Sequence, residues 1–472
     1  MIFDRIKFNI VVFCILFSAH NCSSFECSLW DQSCSVQAVL FGIILPKNNN
    51  NTNNDNNNPN SNVPNNNSGT KQWTRLLGAA GATTLSPSIT SDSLGNVYTI
   101  GHTDGNLDGQ ILTGTNDLFV VKYNNAGTKQ WTRLLGVAGA LTYGRGSVTD
   151  GLGNIYITGE TYGNLDGQIR TGLDDLYVVK YDNAGTKQWT RLLGVAGATT
   201  RSFGITSDSL GNMYLAGFTN GNLDGQILTG TNDLFVVKYD NAGTKQWTRL
   251  LGVAAANTQA YGITSDSLGN IYITGFTDGN LDGQIRTGNV DLFVVKYNNA
   301  GTKQWTRLLG TAGTAAQAYG IVSDALGNVF STGSTNGNLD GQIITGNTDL
   351  FVVKYNNAGT RQWTRLLGAA GATTQAWGIA SDSLGNVYPG GSADGNLDGQ
   401  VLTGNTDLLV VKYDNAGTKQ WTRLLGVAGA TTGAAAITSD NLGNVYPTGN
   451  TDGNLDGQIL TGNTDLLVVQ YR

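Results

Sequence analysis

Histidine and glutamate are almost missing from this chain: 472 residues contain His20, His102, Glu26 and Glu160 and no others of either type. A Ser-His-Asp triad would therefore have to use one of two histidines, and only His102 lies beyond the first 21 residues. A metal site with several histidine ligands is excluded, and a glycosidase-type pair of carboxyl groups would have to come largely from aspartate. Cysteine is confined to Cys14, Cys22, Cys27 and Cys34, so the rest of the chain is held without disulfides. Charge is sparse: 13% of residues are charged, the net charge is −6, and there is no basic run, which disfavours nucleic acid as a partner. Helical patterning is absent too. No window carries ten residues of helical periodicity, and 65 glycines are too many for helices.

What is present is repetition. Trp73, Trp131, Trp189, Trp247, Trp305, Trp363 and Trp421 are each 58 residues apart, in the phrase Lys-Gln-Trp-Thr-Arg-Leu-Leu-Gly, with Arg361 once replacing the lysine. A fixed period of this size is read as an architecture before any local motif. Each unit holds short runs of β-branched and aromatic residues between Gly/Asn/Asp clusters. In the second copy these are Ser147-Val-Thr-Asp, Ile155-Tyr-Ile-Thr-Gly, Asp175-Leu-Tyr-Val-Val-Lys-Tyr and Lys187-Gln-Trp-Thr-Arg-Leu-Leu. Four antiparallel strands per unit is the signature of a propeller blade. The small-residue strand (Gly204 to Asp208 in the third unit) suits the crowded axis. The Trp strand suits the rim, where the indole packs between blades. The array begins with a lone Trp strand, Lys71 to Leu77, and ends at Arg472 after a third strand. The first completes the last blade, closing an all-β ring of seven blades over residues 69–472 and removing two exposed edges.

These phrases, Gly-Ile-Thr-Ser-Asp-Ser-Leu-Gly-Asn-x-Tyr, Asp-Leu-Phe-Val-Val-Lys-Tyr and Asn-Ala-Gly-Thr-Lys-Gln-Trp, resemble the SBBP repeats of bacterial seven-bladed β-propellers. The resemblance implies the fold and an envelope or secreted setting. It implies no reaction and no ligand.

The front of the chain reads as an address. Residues 1–21 resemble a secretory signal, with Arg5 and Lys7 ahead of an apolar core, Ile10 to Phe17, too short to span a bilayer. Cys22, followed by two serines, resembles the acylated cysteine of bacterial lipoproteins of the spirochaete type, although Ala19 and His20 depart from the usual pattern. Lipidation at Cys22 would leave Cys27 and Cys34 as an even pair able to form a disulfide; ordinary cleavage with Cys22 itself in a disulfide is the alternative. Residues 22–46 contain a second apolar run, Val36 to Leu45, again too short to cross a membrane. Residues 47–68 are an asparagine-rich linker with an r.m.s. reach of roughly 25 Å. The expected arrangement is a monomer on a lipid anchor at the cell envelope, most simply the outer membrane, displaying a rigid disc beyond a spacer.

One polar loop invites a cofactor. Asp104-Gly-Asn106-Leu-Asp108-Gly has the alternating oxygen pattern of calcium loops, and it returns as Asp278/Asn280/Asp282, Asp394/Asn396/Asp398 and Asp452/Asn454/Asp456. The third and fifth units weaken it with Asn220 and Asn336, and Tyr162 should spoil it in the second. The later bidentate glutamate is missing, with Thr115 in its place; Asp117 either substitutes for it or caps the following strand. The competing reading is that Asn, Asp and Gly stand here because they make turns. Under the first reading calcium is a weak structural ligand; under the second there is no cofactor.

Recognition is expected on the face carrying these longer loops. Two positions there vary most between units. Fourteen residues after each Trp come Pro87, Arg145, Phe203, Tyr261, Tyr319, Trp377 and Ala435; twenty-nine after come His102, Glu160, Phe218, Phe276, Ser334, Ser392 and Asn450. Phe203, Tyr261, Tyr319 and Trp377 are candidates for stacking on a sugar or gripping a peptide, against the alternative of drift at exposed positions. His102 reads as an ordinary exposed histidine. Three functions follow. The first is a non-enzymatic binding scaffold for a protein or glycan. The second is an enzyme on polysaccharide, centred on the second unit, where Arg145, Glu160, Arg170 and Asp174 break the pattern. The third is a structural surface module. Near identity between units weighs against the enzyme, since one active site needs asymmetric residues.

Overall fold

The computed structural model describes residues 69–472. The signal segment, Cys22, the Cys27/Cys34 pair, the apolar run and the asparagine-rich linker lie outside the described residues.

After β1 (Lys71–Leu77), the first complete blade contains β2 (Thr84–Ser91), β3 (Val97–Thr103), β4 (Asp117–Tyr123) and β5 (Lys129–Leu135). The second contains β6 (Thr142–Thr149), β7 (Ile155–Thr161), β8 (Asp175–Tyr181) and β9 (Lys187–Leu193). The pattern repeats to give seven four-stranded antiparallel sheets. In the last of them β1 pairs with Asp465–Tyr471, so the ring closes as the repeat boundaries predict. Thr70 and Arg472 exchange backbone hydrogen bonds of 2.8 and 2.9 Å at the join.

Burial assigns the layers. The third strands are the core: every residue of β4 is buried, as befits Asp-Leu-Phe-Val-Val-Lys-Tyr between two other strands and two neighbouring blades. The apolar clusters run between blades; Tyr214 and Val236 of the third blade pack with Ile271 and Phe293 of the fourth. The first strands line the axis, each against the first strands of both neighbours.

At the rim the Trp strand clamps the next blade. Trp131 Nε1 donates to Asn183 O at 3.3 Å, and Arg133, stacked on that indole, donates from Nε to Gly185 O at 2.8 Å. Gly185 has φ +79°, and a Cβ there would lie 2.9 Å from the Trp131 ring, so glycine is required twice over. At the ring's join Gly69 takes this role, accepting from Arg423 Nε at 3.0 Å.

The innermost strands correct one expectation. The third blade's strand, β10, runs Thr200–Ser207, four residues earlier than the start expected at Gly204. Its opening residues, Thr-Arg-Ser-Phe, lack a strand-like apolar alternation, yet they pair with β11 (Met213–Thr219). The register slips between Ser202 and Gly204, leaving Phe203 as a bulge residue, and the same slip occurs at Arg145 and Tyr261. A bulge re-aims its side chain. The position fourteen residues after each Trp is therefore not in a loop at the face but within the strand, turned into the central channel.

Candidate functional site

The Asp/Asn loops are built by turn chemistry. Asp108 and Gly109 both have positive φ, 52° and 75°, and Leu107 and Gln110 exchange backbone hydrogen bonds around them. This is the Asp-Gly geometry of a two-residue type I′ turn. The three side chains serve three different partners. Asp104 accepts from Thr83 N at 2.7 Å, tying this loop to the one entering β2. Asn106 accepts from Leu112 N at 2.8 Å. Asp108 accepts from Thr132 Oγ1 at 2.6 Å and pairs with Lys129, both on β5. The same division holds for Asp278, Asn280 and Asp282, for Asp394, Asn396 and Asp398, and for Asp452, Asn454 and Asp456. Asp117 is fully buried and accepts from Thr113 N and Gly114 N at 2.7 and 2.8 Å, bracing the entry to β4. Among the described residues, no group of three or more His, Cys, Asp or Glu side chains is arranged to hold a metal ion.

The channel is different. It contains a cavity of about 370 Å³ whose wall changes character around the ring. From the second to the sixth blade the bulge side chains form one contact chain. The Arg145 guanidinium lies 5.8 Å from the Phe203 ring. Phe203 stacks on Tyr261 at 4.7 Å, Tyr261 meets Tyr319 edge-on at 5.4 Å, and Tyr319 meets Trp377 at 4.6 Å. Phe218 and Phe276, at the second variable position, back Phe203 and Tyr261 at 5.9 and 5.6 Å. Gln259 and Gln317 accept from the Tyr261 and Tyr319 hydroxyls at 3.0 and 2.7 Å and so fix the rings. Burial raises the pKa of Tyr261, and burial followed by the neighbouring Tyr261 raises that of Tyr319 to about 12, so both stay neutral donors. Trp377, 37% exposed, is the open end of this arc. Ala435 and Pro87 complete the ring with little bulk, leaving a slot opposite the aromatics.

Beside the arc, at the junction of the first three blades, the pattern-breaking residues meet. Glu160, 1% exposed, is gripped by Arg145 through Nη2 at 2.7 Å and Nε at 3.1 Å. Asp174, also 1% exposed, is gripped by Arg201 through Nη2 at 2.8 Å and Nε at 2.9 Å. Arg201 Nη2 also donates to Tyr162 Oη at 2.9 Å, so Tyr162 replaces the loop aspartate with a different contact. Burial raises the Glu160 carboxyl against the opposing pull of Arg145. Burial disfavours the Arg145 cation, but Glu160 more than offsets it and the pKa is raised.

His102 departs from expectation. It is partly buried, edge-on to Tyr143 at 4.5 Å, and its Nδ1 is buried without a hydrogen-bond partner. Burial, then the Arg145 charge, lower its pKa to about 3, leaving a neutral imidazole. Arg170 is not part of this group; it binds carbonyls of its own loop, Gly172 and Leu173. Sequence reasoning missed Tyr143, Arg201 and their equivalents. The signal was there: twelve residues after each Trp come Leu85, Tyr143, Arg201, Gln259, Gln317, Gln375 and Gly433, as varied as the two positions singled out.

The SBBP beta-propeller repeat matches residues 72–108, 130–166, 188–224, 246–282, 304–340, 362–398 and 420–456. The chain belongs to this family. Each match runs from the rim strand to the aspartate that opens the turn of the long loop, so the family pattern covers both the seam and the channel wall of this SBBP protein. An uncharacterized WD repeat-containing protein of Acanthamoeba polyphaga mimivirus is 26% identical over 355 residues, which is 57% of this chain and 25% of that protein. The SBBP chain thus spans about a quarter of that relative's length. Among solved structures, a chain of the mitotic checkpoint complex aligns with a TM-score of 0.48 at 12% identity, over 91% of this chain and 99% of that one. The polysaccharide lyase Uly1 aligns with 0.47 at 14% identity, over 82% and 90%. These likenesses are of fold alone.

Proposed function

We propose that this SBBP protein is a non-enzymatic binding module held at a membrane, with its ligand seated in the channel mouth. The observation that carries this reading is the continuous arc Phe203–Tyr261–Tyr319–Trp377, whose last member is exposed beside an open slot. Preformed aromatic walls in a concave site are what small ligands and sugar rings dock against. The loop aspartates and asparagines act as turn formers in this reading, with no cofactor. The tether is the thioether lipid at Cys22, with residues 47–68 as spacer; a Cys22→Ser chain that still partitions with membranes and still carries label from a radioactive fatty acid would remove that part.

The test compares the wild-type chain with one carrying Tyr261→Ala, Tyr319→Ala and Trp377→Ala on arrays of glycans and envelope proteins. Loss of the wild-type signals in the triple variant, with folding intact by circular dichroism, is the expected result. Unchanged signals would move the binding site elsewhere.

A catalytic reading has one observation in its favour, the unpartnered Nδ1 of His102 beside Tyr143 and Arg145. It requires turnover of a polysaccharide that disappears in His102→Phe.

A further inference from the structure

Resting on the binding-face reading, we infer that the ligand class is an acidic saccharide: a sugar ring against the aromatic arc, with its carboxylate or sulfate on the outward edges of Arg145 and Arg201. Three features lead there. First, the two guanidiniums are presented by buried acids. Glu160 and Asp174 each occupy the Nε/Nη2 edge of one arginine, and neither acid reaches the surface. What solvent meets is the cationic side, with Arg145 and Arg201 side chains about a third exposed at 29% and 34%. Second, both Nη1 groups have no hydrogen-bond partner among the described residues, and a guanidinium edge of this kind suits a planar carboxylate. Third, the Arg145 cation and the aromatic arc are contiguous: Arg145 lies over both Tyr143 and Phe203, and it lines the same cavity as Tyr261 and Trp377.

The seven-fold repeat supplies the control. Where the second blade has Arg145 and Glu160, the fourth has Tyr261 and Phe276; where Arg201 meets Asp174, the equivalent pair three steps further round is Gln375 and Thr348. The remaining blades thus have no such ion pair, and the cationic feature is local to one sector of the mouth. A ring stacked on the arc can present its acidic substituent only at that end. A flexible acidic peptide would satisfy the arginines but would leave the arc without flat partners, which is why the saccharide is preferred.

The experiment measures calorimetric binding of a short oligogalacturonate, a neutral cello-oligosaccharide and a polyglutamate peptide to the full chain. Two variants are compared with it: Arg145→Tyr, Glu160→Phe, Arg201→Gln and Asp174→Thr combined, which copy residues that other blades already accommodate, and the aromatic triple variant. The expected result is that oligogalacturonate binds most tightly, that added salt weakens it, and that the four-residue exchange costs at least about tenfold, or 1.4 kcal/mol. Equal binding of the neutral sugar, or undiminished oligogalacturonate binding after the exchange, would overturn the inference. If the aromatic triple variant still lost that binding, the binding-face reading would survive. Tighter binding of polyglutamate would overturn it in favour of an acidic peptide. No binding of any probe would also overturn it, leaving the array comparison to judge the face by itself.

Discussion

The rim and the channel are made from the same 58-residue unit and have opposite characters. At the rim every blade repeats one contact: arginine Nε to the next blade's carbonyl, between 2.7 and 3.0 Å in all seven cases. In the channel the wall keeps a repeated Gly-Ile in the third to sixth blades, but at the bulge position before it no two neighbouring blades carry the same residue except Tyr261 and Tyr319. The difference is one of obligations. A rim tryptophan has a fixed partner in the next blade, and replacing it leaves a hole in a buried seam. A bulge residue meets the same position of neighbouring blades and side chains that themselves vary, such as Glu160 for Arg145 and Gln259 for Tyr261, so local groups can be exchanged together. Yet the channel variation is not scattered. Cation, aromatics and small residues fall in consecutive sectors, which gives the ring a direction that its backbone lacks.

The largest way to break this contrast is to remove residues 69–77. This strips the outermost strand from the last blade and bares the edge of Asp465–Tyr471, all of it buried. The truncated chain should lose cooperative melting and self-associate in size-exclusion chromatography; an unchanged melt would mean that closure contributes nothing. Next in size, Trp247→Ala at the rim should cost about 3–5 kcal/mol by chemical denaturation, as for other large aromatic-to-alanine changes in packed sites. Tyr319→Ala, open to the channel on one side, should cost less. Equal losses would erase the distinction between seam and wall.

A third prediction sharpens the polar sector. His102 has a folded pKa of about 3 against about 6.5 in an unfolded chain. A depressed value means that the unfolded state takes up the proton first. The stability contribution is complete above the unfolded value and declines as pH falls toward about 3. His102→Phe, the residue at this position in the third and fourth blades, should flatten that acid limb in melts taken across the range. The smallest effect expected is that of calcium: with each loop side chain already serving a different protein partner, melting with calcium and with chelator should coincide, and a rise of several degrees would restore those loops as metal sites.

Much of this architecture was legible in the sequence because β-branched runs between glycine turns leave few choices. The third and fourth strands begin and end where the phrases Asp-Leu-Tyr-Val-Val-Lys-Tyr and Lys-Gln-Trp-Thr-Arg-Leu-Leu do. The innermost strand was only half legible. Thr200 and Ser202 are buried as small polar residues while Arg201 and Phe203 are only partly covered, so the inward and outward positions carry no apolar alternation. That displaced the variable position from the wall to the loops. Glu160, its partner Arg145 and Asp174 were visible as exceptions to the pattern, but Arg201, which grips Asp174 from the next blade, stands at a position read as background. Pairing across blades is a property of ring geometry, not of spacing along the chain.

The join between Thr70 and Arg472 has a consequence for how such a chain changes over generations. The closing sheet is assembled from the two ends of the array, and its register depends on neither the number nor the order of the units between. An in-frame gain or loss of one 58-residue copy would leave every closing hydrogen bond available, and a ring of a different size could still seal itself. Recombination between near-identical units can therefore shuffle the channel wall, bringing a cationic sector beside a different aromatic one, without rewriting the latch.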